Sequence, residues 1–396
     1  MANRIRILLL IFLLLLIPSG CWDRRETEQL LLVDALVFDT AMIDNSEQYK
    51  VTLIASKPSP GGGGQMGMGG EGGAPQGAMQ WTASAYGQTL DEAMLKFSAR
   101  APRYLYLDHS RIVIFGEALA RKGVSEAIDF LVRSRATRLR NFILIFKGNE
   151  AGLLTAKPEF EADLARELFA ILEASVREGD YFHPNDLNIV AQDILTTGQD
   201  PWAPVIEIFT PAHGNQENTG QAVSIKGTAL FKADKLAGFL NEEETQSFLM
   251  LKRLANTGIY FLDINGEKVS YKYEQAKVKR KLTLENSKVN VDYDITLQGL
   301  IEEVHFYTEL TEDEIDKLEK MLANKAQNSL AKVIDRCHEL GSDALGIGRF
   351  IHAKEPKIWS QYGKDWAKIY PEMNINVKVN VKITGTALGS KPIVPE

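Results

Sequence analysis

Residues 289–298 read VNVDYDITLQ, in which Val289, Val291, Tyr293, Ile295 and Leu297 alternate with Asn290, Asp292, Asp294, Thr296 and Gln298. Successive side chains of a strand point to opposite faces, so this run has one dry and one wet side. Residues 375–384, INVKVNVKIT, repeat the pattern with Ile375, Val377, Val379, Val381 and Ile383 on the dry side. Such alternation belongs to a sheet covered on one face only. The cover is written between the two runs. Thr311-Glu312-Asp313-Glu314 is a capping box, whose hydroxyl and carboxylate satisfy free amides at a helix start. Ile315, Leu318, Leu322, Leu330, Val333, Ile334 and Cys337 then follow as one stripe, and Gly341 ends the helix after Leu340. At about 1.5 Å per residue this helix is some 40 Å long, and it is expected to lie across the dry side of the sheet. Cys337 falls on that buried stripe, where a thiol acts as a small hydrophobe.

Working outward, Ala222–Phe231 reads as a strand, and Asn241-Glu242-Glu243-Glu244 puts a cap and an acidic first turn before Phe248, Leu249 and Leu251. Upstream, Leu30–Thr40 and Gln48–Ser56 read as strands joined through Asp44-Asn45-Ser46. Met79–Tyr86, Arg111–Phe115 and Asn141–Phe146 are further strands. Thr89-Leu90-Asp91-Glu92 caps a helix with Leu90, Ala93, Met94 and Phe97 inward, and Ser125–Ser134 is a helix with Ile128, Leu131 and Val132 inward. Helices are also predicted at Phe160–Arg177 and Asn185–Thr196. Pro201, Pro204 and Pro211, followed by a polar stretch, read as a transition. The expected fold is therefore α+β and multidomain, with mixed or antiparallel sheets each packed by helices. Residues 21–200 form an N-terminal region of one or two subdomains, 201–221 a linker, and 222–390 a C-terminal α+β region.

The 396 residues are 45% hydrophobic, 24% charged and 9% aromatic, which are globular proportions. A net charge of −7 argues against a nucleic-acid partner, which calls for a basic face. Residues 1–20 read as an export signal: Arg4 and Arg6 precede an unbroken apolar run, Ile7–Ile17. As a helix that run rises only about 16 Å, against a bilayer core of about 30 Å. Pro18-Ser19-Gly20-Cys21 follows, similar to a bacterial lipobox except that Pro18 stands where leucine is usual. In such signals the cysteine thiol receives a diacylglycerol and becomes the N-terminus. Cys21 is therefore the candidate lipid anchor, and two or three acyl chains hold a protein stably on a membrane. Only Cys337 remains, so no intramolecular disulfide is expected. Between Pro58 and Gln80 the composition changes: ten of the seventeen residues 61–77 are glycine. Gly67, Gly69 and Gly72 match a nominal dinucleotide fingerprint. More glycine before it and Ala74-Pro75 after it remove the strand and helix that the fingerprint needs, leaving a flexible-loop reading of 58–80.

No constellation for catalysis or metal binding emerges. His109, His183, His213, His305, His338 and His352 form no H-E-x-x-H pair, and there is no C-x-x-C, G-x-S-x-G or phosphate loop. Asp108-His109-Ser110 places three triad types side by side, whereas triad members usually come from separate segments. Glu242–Glu244 are accounted for by the helix macrodipole. Trp359, Tyr362 and Trp366, at i, i+3 and i+7, predict a helix packing its aromatics on the sheet. Catalytic, cofactor and metal residues are accordingly read as none.

Gly20-Cys21-Trp22-Asp23-Arg24-Arg25-Glu26 resembles the start of the spore germination receptor C-subunits, the Ger(x)C lipoproteins. Three further blocks resemble the same family in the expected order: Thr89–Gly116 with Ala101-Pro102-Arg103 and His109; Gly227–Gly238 followed by Glu244-Thr245; and Asp343-Ala344-Leu345-Gly346-Ile347-Gly348 through Pro356, Trp359 and Trp366. The glycine-rich stretch 61–77 is a departure. The resemblance implies a non-enzymatic α+β lipoprotein, anchored on the outer face of the inner spore membrane. It implies two integral-membrane receptor subunits as partners, one transporter-like, and a response to small germinants. The alternative carried beside it is a solute-binding lipoprotein feeding a transporter, which would need two lobes about a ligand cleft. A cell-wall hydrolase would need paired catalytic residues, which the chain does not offer.

Overall fold

A computed structural model of the chain describes residues 29–56, 80–134, 136–148, 150–178, 182–211, 220–264, 266–285, 288–304 and 311–386, together with Arg4 and Glu26. Cys21, the signal, the glycine-rich stretch 58–79, His213 and His305 lie outside the described residues.

The chain opens with the hairpin β1 (Leu30–Ile43) and β2 (Ser46–Ser56). Asp44 and Asn45 sit at its tip with φ of 48° and 60°, the left-handed conformation that a two-residue hairpin requires and short polar side chains tolerate. β3 (Gln80–Gly87) pairs antiparallel with β2. α1 (Leu90–Ser98) follows, where Thr89 Oγ1 accepts from Glu92 N at 3.1 Å, and Glu92 Oε2 accepts from Gln88 N at 2.8 Å. Then come β4 (Tyr104–Tyr106), β5 (Ile112–Gly116), α2 (Glu117–Lys122), α3 (Ser125–Arg133) and β6 (Phe142–Phe146). After them run α4 (Glu150–Thr155), α5 (Leu164–Glu178), β7 (Asn185–Asp186) and α6 (Leu187–Leu195), then β8 (Trp202–Phe209), β9 (Ala222–Lys232) and β10 (Lys235–Leu240). All ten strands form one mixed sheet, whose main path runs β10-β9-β8-β6-β5-β1-β2-β3, with β4 pairing β1 and β7 pairing β6. At its centre β1, β5, β6 and β8 are parallel.

Each face of this sheet carries a core. Leu36, Phe38, Val113, Phe115 and Ile145 join Phe97 of α1 and Leu131 of α3 on one side. Ala35, Val37, Ile114 and Leu144 join Leu164, Leu168 and Leu172 of α5 on the other. A bulge between Val33 and Ala35 changes the phase of β1, so Leu31, Val33, Leu36 and Phe38 all serve the first core. Val132 was expected inward on α3 but is exposed, because Ala127, Ile128 and Leu131 already fill the buried arc. Phe160 was placed in a helix; it is exposed and precedes α5, which starts only at Leu164.

The second sheet follows α7 (Glu242–Leu251), in the order β11 (Gly258–Ile264), β12 (Glu267–Glu285), β13 (Lys288–Val304), β14 (Ile375–Thr386). The long β12–β13 hairpin is antiparallel and β14 runs parallel to β13. α8 (Glu312–Glu339) crosses the dry face as the stripe requires. Leu318, Leu322, Leu330, Val333 and Cys337 meet Val291, Tyr293, Ile295, Leu297, Val379 and Val381 in one cluster. The capping box at Thr311 is formed, and Gly341 with φ of 60° leaves the helix in the left-handed region. α9 (Ile347–Lys354), α10 (Pro356–Tyr362) and α11 (Trp366–Ile369) close the same core.

The segment 201–221, expected as a linker, contains a central strand of the first sheet. β8 pairs with β6 on one side and β9 on the other, and β9 and β10 extend the same sheet to Leu240. The first sheet thus ends about twenty residues beyond the expected division at 221. Proline donates no ladder hydrogen bond, so Pro201 and Pro204 read as breaks; Pro204 is accommodated at a register shift between β8 and β9.

Candidate functional site

The two sheets meet at a buried polar joint. α8 is followed by Gly341-Ser342-Asp343, and Ser342 Oγ donates to Phe231 O of β9 at 2.5 Å. Asp343 N donates to Asp200 Oδ2 at 2.7 Å and Asp200 N donates back to Asp343 O at 3.1 Å. The other oxygen of Asp200 accepts from Ala233 N at 2.7 Å. One carboxylate thus ties the strand entry of β8, the β9–β10 turn and the end of α8.

The Asp343 carboxylate faces the start of α9. Oδ1 accepts from Ile347 N at 2.7 Å, and Oδ2 accepts from Gly348 N at 2.8 Å and Trp366 Nε1 at 3.0 Å. Arg349 N donates to Gly198 O at 2.7 Å, bringing the loop before β8 against α9. The approach is close enough that a Cβ on Gly348 would lie 2.7 Å from Gly198 Cα and from the Trp366 ring. Trp359, Trp366 and Tyr370 pack in series as tilted pairs, with His352 stacked on Trp359. Trp359 sits on α10 and Trp366 on α11, with a 3-10 turn between them, while Tyr370 opens a further 3-10 turn and His352 belongs to α9. They support the Asp343 loop as well as the sheet core.

Two cations adjoin the joint. Lys252 Nζ donates to Ala344 O at 2.6 Å and lies 5.5 Å from the Trp202 ring centroid. The guanidinium of Arg280 lies 3.9 Å from the centroid of Phe350, with Nη1 3.4 Å from Tyr293 Oη. Burial pushes the Asp343 carboxyl up to about 7 against the pull of its three N–H donors, and pushes Lys252 down to about 8. Burial also raises the Cys337 thiol above its ordinary value, so it stays a thiol and a packing residue. Both carboxylates already accept backbone N–H groups. The joint is built to hold elements together.

His109 meets an aspartate, but not its sequence neighbour. His109 Nε2 lies 3.3 Å from Asp34 Oδ1, and Ser56 Oγ donates to Asp34 Oδ2 at 2.5 Å. Burial raises the Asp34 carboxyl while the Ser56 hydroxyl opposes the rise. The serine is bonded to the carboxylate rather than the imidazole, which is not the Ser–His–Asp order of a nucleophilic triad. This contact borders a cleft of about 340 Å³ that also touches Arg111, Arg166 and Phe169. Glu242–Glu244 form the acidic first turn of α7 as read from sequence, with Asn241 as its N-cap and Glu244 completing a capping box. Among the described residues no three His, Cys, Asp or Glu side chains come together as a metal site.

Asp200, Lys252 and Arg280 were not singled out from sequence. Arg280 carried a signal: it falls in phase with Val278 and Leu282 on the dry side of β12, where a charge needs partners. Asp200, between Gln199 and Pro201, carried none, since its partners are 33 and 143 residues away. For Cys21 the described chain gives a distance limit. The strand β1 begins nine residues later, at most about 30 Å of extended backbone.

Comparison with known proteins covers both sheets. Residues 23–208 match the spore germination protein N-terminal domain and residues 226–387 match the spore germination B3/GerAC-like C-terminal region. The chain is 27% identical to YfkR of Bacillus subtilis (strain 168) over 372 residues, 92% of each chain. It is 25% identical to spore germination protein KC of the same strain over 421 residues, 99% of this chain and 98% of the other. The crystal structure of the GerBC protein superimposes with a TM-score of 0.57 at 18% identity, covering 91% of this chain and all of that one, and so shares its fold. With both regions matched in order along nearly the whole chain, the protein belongs to the Ger(x)C family of spore germination proteins.

Proposed function

We propose that the protein is a non-enzymatic subunit of a spore germinant receptor, held by acylated Cys21 on the outer face of the inner spore membrane. Its partners are the integral-membrane subunits of the receptor, and its role is in nutrient-triggered germination. The observation that carries this reading is the match to both regions of the family across residues 23–387. The export signal and the cysteine after it support the anchor. The buried joint supports a scaffolding role, because it couples two sheets into one docking body. Confinement at the membrane raises effective concentration, so a modest affinity for the membrane subunits is enough. The Ser56–Asp34–His109 order supports the non-enzymatic reading.

Replacing Cys21→Ala is expected to leave the fold unchanged by circular dichroism while retention in the spore membrane fraction falls at least about tenfold, the acyl chains being lost. Equal retention of the variant would overturn the anchored reading. Calorimetry of the soluble body with amino acids, sugars and nucleosides is expected to give no heat of binding; direct binding would favour a solute-binding lipoprotein instead.

A further inference from the structure

In a chain with net charge −7, residues 133–141 read RSRATRLRN, four arginines and no acid. Topology gives this segment a definite address. β1, β5 and β6 are parallel, so the loops that enter them lie at one end of the first sheet. Arg138 Nε lies 3.1 Å from Asp108 Oδ1, and Asn188 N donates to Leu139 O at 3.0 Å, which fixes the loop before β6 beside the loop before β5. Tyr104 pairs with Leu30, so the entry to β4 and the entry of the chain from Cys21 share that end as well.

This end is arginine-rich and wet. Arg111, Arg133, Arg138 and Arg140 are exposed. Among the neighbouring acids Asp108 pairs with Arg138, Asp129 with Arg133 and Asp186 caps α6, while Glu161 and Glu173 line the cleft beside Arg111. Tyr104 and Leu139 are about half exposed between the arginines, an aromatic and an apolar side chain where headgroups meet acyl chains. Cys21 is at most about 30 Å of chain from Leu30, so a lipid inserted there keeps this end, not the opposite one, near the bilayer.

We propose that the β1/β5/β6 entry end of the first sheet docks on an anionic bilayer surface, with Arg138 and Arg140 on lipid phosphates. The contact would set the orientation in which the anchored body meets its membrane partners. It rests on the anchor reading for its geometry, but charge and position can be tested without the acyl group.

The test uses the mature chain from residue 21 carrying Cys21→Ser, with vesicles of phosphatidylcholine alone or with 30% phosphatidylglycerol. Sedimentation is expected to show binding only to the anionic vesicles, lost at high salt as screening shortens the field. The double variant Arg138→Gln/Arg140→Gln should weaken that binding about 30-fold, at roughly fivefold per arginine near an anionic surface. Lys378→Gln/Lys382→Gln, the same charge change on the far sheet, should leave it unchanged. Absence of anionic preference, or equal losses in the two double variants, overturns the proposal. Mass spectrometry of the native N-terminus tests the anchor separately: an unmodified Cys21 would end the anchor reading while vesicle binding of the serine variant still decided the surface.

Discussion

At the residue scale, Asp343 shows how one buried group can be both costly and necessary. It is almost fully buried, yet three N–H groups point at it and its own amide binds Asp200. Asp343→Ala leaves those donors unsatisfied and is expected to cost about 3–5 kcal/mol, read as a lower urea midpoint. Its titration gives a second signature. The native carboxyl titrates near 7 against an ordinary 3.8, so between about pH 4 and pH 7 the native state holds more protons than the unfolded chain. The contribution of this group to stability therefore falls as pH rises through that window and is flat above it. Asp343→Asn should remove that part of the pH dependence; an unchanged slope would show that another group carries it. Lys252 moves the opposite way, from 10.5 down to about 8, and its pH response is confined to the alkaline side.

At the element scale, α8 is the member on which the second sheet depends. Leu322 and Leu330 are fully enclosed between the helix and the dry face, so Leu322→Ala is expected to cost about 2–5 kcal/mol through lost burial and a residual cavity. Thr311→Ala removes only the cap and should cost about 1 kcal/mol. Thermal denaturation of the two variants orders them, and a larger effect at Thr311 would mean that helix initiation, not packing, limits the element. The alternation of 289–298 and 375–384, the cap at Asn241, the capping box at Thr311, and the turn at Asp44-Asn45 were all legible because each depends on residues within a few positions. The strand β8 was hidden for the converse reason. Its Pro204 signals a break locally, and only pairing with β6 and β9 makes Trp202–Phe209 a strand.

For the whole molecule, the two sheets share more than a boundary. Trp202, Leu230 and Leu240 belong to the first sheet by pairing but lie in the core of the second, with Trp202 edge-on to Phe248 at 5.5 Å. With the Asp200–Asp343 exchange, this predicts one cooperative unfolding transition for the described body. Asp200→Ala combined with Ser342→Ala cuts the bonds to Ala233, Asp343 and Phe231 while leaving both cores intact. Calorimetry is expected to resolve two endotherms in that double variant, and a single shifted endotherm would show that shared apolar packing alone couples the sheets.

Local pattern in the chain was sufficient for the α+β class, the one-sided second sheet with its long helix and the blocks that mark the family. Each rests on interactions between near neighbours or on periodicity, which survive in one dimension. Tertiary structure decided that β8 to β10 complete the first sheet, that Asp34 rather than Asp108 meets His109, and that Asp200, Lys252 and Arg280 gather at Asp343. Those choices join groups tens to more than a hundred residues apart. Buried charge must find partners wherever the folded chain brings them, and no local spacing encodes which ones.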